Sequence, residues 1–100
     1  MSKETYKLTW LQSTSSVANE QAVFAVSNGV SGIIASNLVM TVGSVLFDFD
    51  TDATVEWFVR TYNADKSKIA DSVHATFVAT NEEPLAAASN LASSWISHIP

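Results

Sequence analysis

The chain contains no cysteine, so no disulfide braces it, and neither thiolate catalysis nor a thiolate zinc site is open to it. Basic residues are nearly as scarce: Lys3, Lys7, Arg60, Lys66 and Lys68 stand against ten carboxylates, giving a formal charge of −5. Clustered Lys and Arg are what neutralise a phosphate backbone, so no nucleic-acid partner is expected. An anionic membrane surface is disfavoured on the same ground. No apolar run approaches the roughly 20 residues that cross a bilayer as a helix. Only three glycines and two prolines occur, and the chain holds no G-x-S-x-G, H-E-x-x-H or glycine-rich phosphate loop. The opening Met-Ser-Lys-Glu-Thr-Tyr lacks the basic and then apolar run of a secretory signal. It reads as synthesis in the cytoplasm. A fragment of a larger secreted protein would carry the same features.

What is present is enough apolar material for one core. Of 100 residues 47% are hydrophobic and 15% charged, the size and balance of a single small domain. Val, Ala, Ile and Phe, with Ser, Thr and Asn, suit strands and turns better than charged surface helices. Tyr6, Leu8 and Trp10 alternate with Lys7, Thr9 and Leu11, a period-two strand, and a Ser/Thr-rich loop runs from Gln12 to Asn19. Ala22, Phe24 and Val26 alternate with Val23, Ala25 and Ser27 up to Asn28-Gly29, a two-residue hairpin signal. The returning strand is Val30 to Ala35, with Gly32 as a bulge position and Ser36 to Gly43 a less regular extension. Further strands are expected at Val45 to Asp50, Thr54 to Tyr62 and Val73 to Thr80. Short strands at this spacing predict an all-β antiparallel sandwich over residues 1–80.

Residues 81–100 form a tail of mixed character. Asn81, Glu82, Glu83 and Pro84 suit a helix start, and Leu85, Ala88, Leu91 or Ala92, Trp95 and Ile99 recur at helical spacing. Leu91, Ser93, Trp95, Ser97 and Ile99 also alternate as a strand would. A short helix is slightly favoured over an edge strand.

These strands resemble an immunoglobulin-like family, the fibronectin type III-like domains of bacterial surface and bacteriophage structural proteins. Leu8-Thr9-Trp10 and the loop after it resemble that family's second strand. Ser44 to Asp50 with Ala53 to Lys66 resemble its E and F strands and F–G turn, and Ser72 to Thr80 its final strand. The first strand has no counterpart before Tyr6, and Val55 stands near the place of the usual corner tyrosine. Pro84 to Leu91 followed by Trp95 is similar to the opening of a further such domain. A sheet that begins at its second strand has an exposed edge, which proteins normally cover. The tail is therefore expected to cover it, on the same domain or on a neighbouring subunit.

Candidate chemistry is sparse. Asp48, Asp50 and Asp52 have the alternate spacing that opens some Ca²⁺ loops, but the glycine and terminal Glu of such a loop are missing, so no metal and no cofactor are expected. His74, near Asp71 and Ser72, reads as a surface histidine, as does His98, and the chain as a non-enzyme. Trp10 and Trp57 fall on core faces. With Val55, Trp57 and Val59 inward, Phe58, Arg60 and Tyr62 point outward, and Val23, Ala25 and Val78 would share that side. Such a face is either a contact surface, with Trp95 contributing, or a surface tucked beneath the tail with Trp95 on Phe58. The expected function is a structural or interaction module with a protein partner or self-association, such as a decoration, fibre or tail component of a phage particle. The alternative is a carbohydrate- or substrate-binding accessory module, with Phe58, Tyr62 or Trp95 as the glycan-contacting ring.

Overall fold

The computed structural model describes residues 2–85 and 88–100. Among these residues eight strands follow one another: β1 (Lys3–Thr9), β2 (Glu20–Ser27), β3 (Val30–Val39), β4 (Ser44–Asp50), β5 (Thr54–Tyr62), β6 (Ile69–Asp71), β7 (Ala75–Val78) and β8 (Ala92–Ile99). One sheet has the order β4-β1-β8. The other runs β3-β2-β5-β6, with β7 paired to β5 beyond β6. All pairings are antiparallel, and the two sheets enclose one core, so the molecule is an all-β sandwich.

The core is filled from both sheets. Tyr6, Leu8 and Phe49 come from the smaller sheet and Val23, Ala25, Val55, Trp57, Val59 and Phe77 from the larger, with Trp10 just past β1. Trp57 lies opposite Ala25 on one neighbouring strand and Ala75 on the other. Two small flanking residues leave room for the indole, which is fully buried. At one end Tyr6, Phe49 and Phe77 pack as a trio, with Tyr6 and Phe77 centroids 4.6 Å apart and Phe49 edge-on to Phe77. The buried Gln21 accepts from Trp10 Nε1 at 2.9 Å and donates to the carbonyls of Val39 and Val42, tying β2 to the β3–β4 connection.

The Asn28-Gly29 hairpin forms as its sequence requires, with φ of +50° and +83°. Nothing lies within 4 Å of a Cβ placed at Gly29, so Gly29→Ala meets only backbone strain. It is expected to lower stability by about 1–2 kcal/mol in urea titration, and an unchanged midpoint would contradict the turn. The β2–β3 bulges are not at Gly32. The register shifts between Gln21 and Phe24, leaving extra residues on β3 around Ile34 and Asn37, where Asn37 takes φ +55°.

Three other expectations are corrected. Val23 and Ala25 point into the core, Val23 opposite Val59, and Phe24 faces out opposite Phe58. Both faces of β2 are apolar, so alternation alone could not choose between them. The strand expected over residues 73–80 shortens to β7, and an unexpected short strand, β6, precedes it; the two are parted at Ser72–His74, where Ser72 Oγ accepts the Val59 N–H. The tail, favoured as a helix, ends in strand β8; Ala86 and Ala87, within its expected helical run, lie outside the described residues.

Candidate interaction surfaces and the tail clasp

β8 pairs with β1 from Thr9↔Ala92 to Lys3↔Ile99 and so covers that edge of β1. Leu91 and Ser93 enter the core, and Ser93 Oγ accepts from Trp57 Nε1 at 3.0 Å across the sandwich. A register shift between Thr5 and Tyr6 then leaves Ile96 unpaired and reverses the alternation. His98, not Ser97 or Ile99, comes to lie opposite Glu4.

Glu4 is the centre of a clasp. Its side chain is fully buried, on the inward face shared with Tyr6 and Leu8. Thr51 Oγ1 donates to it at 2.8 Å, Trp95 Nε1 at 3.1 Å, and His98 Nδ1 lies 2.5 Å from Oε2. A carboxylate only accepts, so His98 Nδ1 carries the hydrogen of that bond. Burial by itself raises the Glu4 carboxyl, but the bonds from Thr51, His98 and Trp95, with the attraction of the His98 ring, outweigh it and hold the group below the usual carboxylate range. Two of the three donors belong to β8, so one carboxylate near the start of the chain fastens its last strand. The sequence held the signal: alternation carried back from Trp10, Leu8 and Tyr6 lands on Glu4 as an inward residue.

The outer face of the larger sheet is built differently. Phe24 and Phe58 stack at 5.3 Å and 7°, and Phe58 and His74 at 4.4 Å and 6°. The Arg60 guanidinium lies 4.9 Å from the Phe24 centroid and binds both Asp71 carboxylate oxygens, at 2.7 and 2.9 Å. That bidentate bond raises the Arg60 pKa and lowers that of Asp71. His74 Nδ1 is 2.6 Å from Glu56 Oε2, and the Ser72 hydroxyl donates to the Val73 carbonyl. Lys66 Nζ lies 5.7 Å from the Tyr62 ring centroid. Phe58 thus has a ring on each side, so the row turns ring edges rather than one open face to solvent.

Of the residues expected to form one outward surface, Phe58, Arg60 and Tyr62 are together on β5, and Val78 is exposed on β7. Val23 is in the core. Trp95 belongs to the other sheet, bound to Glu4 rather than packed on Phe58. Asp48 accepts from Thr5 Oγ1 at 2.6 Å, Asp50 pairs with Lys3 at 3.0 Å, and Asp52 sits in the turn at φ +69°. Among the described residues no group of three His, Asp or Glu is placed to hold a metal ion.

A third surface went unnoticed in the strand pattern. From Gln21 through Phe47 the chain has no Asp, Glu, Lys, Arg or His. This stretch supplies β3 and most of β4, which are the free edges of the two sheets on the same side of the sandwich. Val30, Ile33, Val39 and Leu46 are each at least 59% exposed there, and Phe47 39%. Between the edges opens a cleft of about 400 Å³ that reaches Phe49 of the core. The missed signal was this absence of charge.

No protein-family model, curated protein or solved structure matches the chain.

Proposed function

We propose that the protein is a non-catalytic structural or protein-interaction module, a subunit of a larger assembly such as the decoration, fibre or tail of a phage particle. The observation that carries this reading is the β3–β4 side, uncharged from Gln21 through Phe47, where Val30, Ile33 and Phe47 line one cleft and Val39 and Leu46 are exposed along the same two strands, whose outer edges are unpaired among the described residues. A lone soluble domain keeps such edges short, charged or covered, and contiguous apolar surface of this kind marks a contact. The polar groups inside are committed to holding the fold: Gln21, Glu4 and Ser93 each bind another element of the chain. The fibronectin type III-like reading is supported by β8 lying beside β1, the place of a first strand next to a second in immunoglobulin-type sandwiches. A glycan-binding module is less well supported, because Phe58 is enclosed between Phe24 and His74, and Trp95 is tied to Glu4.

Size exclusion of a native lysate of the source, followed with an antibody to this chain, tests the proposal. Elution far above the 10.8 kDa of one chain is the expected result. Elution as a free monomer, together with retention on a glycan array, would replace the assembly reading with the accessory-module one.

A further inference from the structure

We propose that the β3–β4 side joins two copies of this chain, with β4 pairing antiparallel to β4 of the second copy about a two-fold axis at Phe47. This rests on the assembly reading above and names its partner.

The four sheet edges are not equivalent. The β6–β7 edge is interrupted at Ser72–His74, and the β8 edge is capped where Glu83 Oε2 accepts the Trp95 N–H at 2.9 Å. β3 is bulged around Ile34 and Asn37, which bends its second half. These are the devices by which proteins stop edges from pairing. β4 has no such device over most of its length. It pairs residue for residue with β1 over seven positions without a shift, so its other edge is regular and open. Its only charges, Asp48 and Asp50, stand at one end.

A second copy is the occupant that the β4 edge itself suits, because the strand is regular over seven positions and uncharged from Ser44 to Phe47, so it can pair with its own like. Each chain carries −5, so two copies repel over most of their surfaces and approach most readily where charge is absent. A two-fold contact also requires a patch complementary to itself. Centred on Phe47, the pairing sets Asp48 opposite Leu46 of the other copy and Asp50 opposite Ser44, so no carboxylate stands directly opposite another, and the two Asp48 are diagonal neighbours about 7–8 Å apart whose repulsion salt screens. Lys7, opposite Leu46 within the chain, lies beside this row. Leu46, 62% exposed in the monomer, becomes covered, and the two three-stranded sheets run on as one of six.

Sedimentation velocity of the purified chain over a wide concentration range tests this, at 0.15 M and 1 M NaCl. A reversible dimer that strengthens with salt is expected, because screening relieves repulsion between like-charged copies while apolar contact persists. Leu46→Asp puts a carboxylate opposite Asp48 and is expected to weaken the dimer at least tenfold, whereas Leu46→Lys meets Asp48 with a cation and retains it. Val78→Asp, on the far sheet, serves as a control that leaves the dimer unchanged. Thermal melts establish that each variant remains folded. A chain that is monomeric at all concentrations, or a dimer that Leu46→Asp and Leu46→Lys affect equally, overturns the inference. A monomer in isolation that still elutes at high mass from lysate sinks the homotypic contact and leaves the assembly reading standing.

Discussion

Trp57→Ala is expected to lower stability by about 3–5 kcal/mol, read as a fall in the urea midpoint with little change in slope. The side chain is fully buried at the centre of the larger sheet, between Ala25 and Ala75, and neither neighbour is large enough to fill the space it leaves. Its Nε1 also donates to Ser93, so the same substitution loosens β8. Trp57→Phe separates the two effects: it keeps an aromatic body but strands the Ser93 hydroxyl, for an expected loss of about 1–3 kcal/mol. A loss within error for Trp57→Ala would mean that the indole does not bridge the two sheets.

Glu4→Gln is expected to lower the melting temperature by roughly 10 °C near neutral pH, because Thr51, Trp95 and His98 then compete for one amide oxygen. The loss is local as well as global. Amide exchange quickens along β8 before it quickens in β2 or β5. The pH dependence has a definite sign. The carboxyl of Glu4 titrates lower in the folded chain than in the unfolded one, so its stabilisation is present above the ordinary carboxylate value of 4.5 and is lost as pH falls through the lower folded value. Native protein therefore melts at falling temperature as the pH drops below that range. Glu4→Gln has no carboxyl there to protonate and shows a shallower dependence. Parallel curves for the two proteins would remove the clasp from the account.

The sandwich was legible because its strands are half-buried and alternate, and because Asn28-Gly29 can form a turn that few other dipeptides form. Trp57, Val55 and Val59 could be assigned inward because β5 has charge on one face only, at Glu56 and Arg60. β2 offers no such contrast. Its orientation is set by which residues meet β5, and that register is a long-range fact absent from the local pattern. The tail was ambiguous for a related reason. Its apolar residues fit two periods, and β1 decides between them by offering an open edge. The bulge at Ile96 then hid the role of His98, since one unpaired residue reverses every side chain beyond it. The break at Ser72–His74 was likewise invisible, because a serine hydroxyl there substitutes for a ladder bond.

The antiparallel pairing of β1 with β8 also sets how the molecule responds to force. Lys3 lies opposite Ile99, so Ser2 and Pro100 leave the sandwich side by side from the same end. Tension applied between them acts across the ladder and loads its bonds one after another from that end, as a zipper opens, rather than shearing them all at once. The first side-chain tie to meet the load is His98 on Glu4, then Trp95 on Glu4, and then Ser93 on Trp57. A sheet peeled in this way yields at low force. In a load-bearing particle the module would hold best if stress entered through its flank, along β4, and left both ends slack.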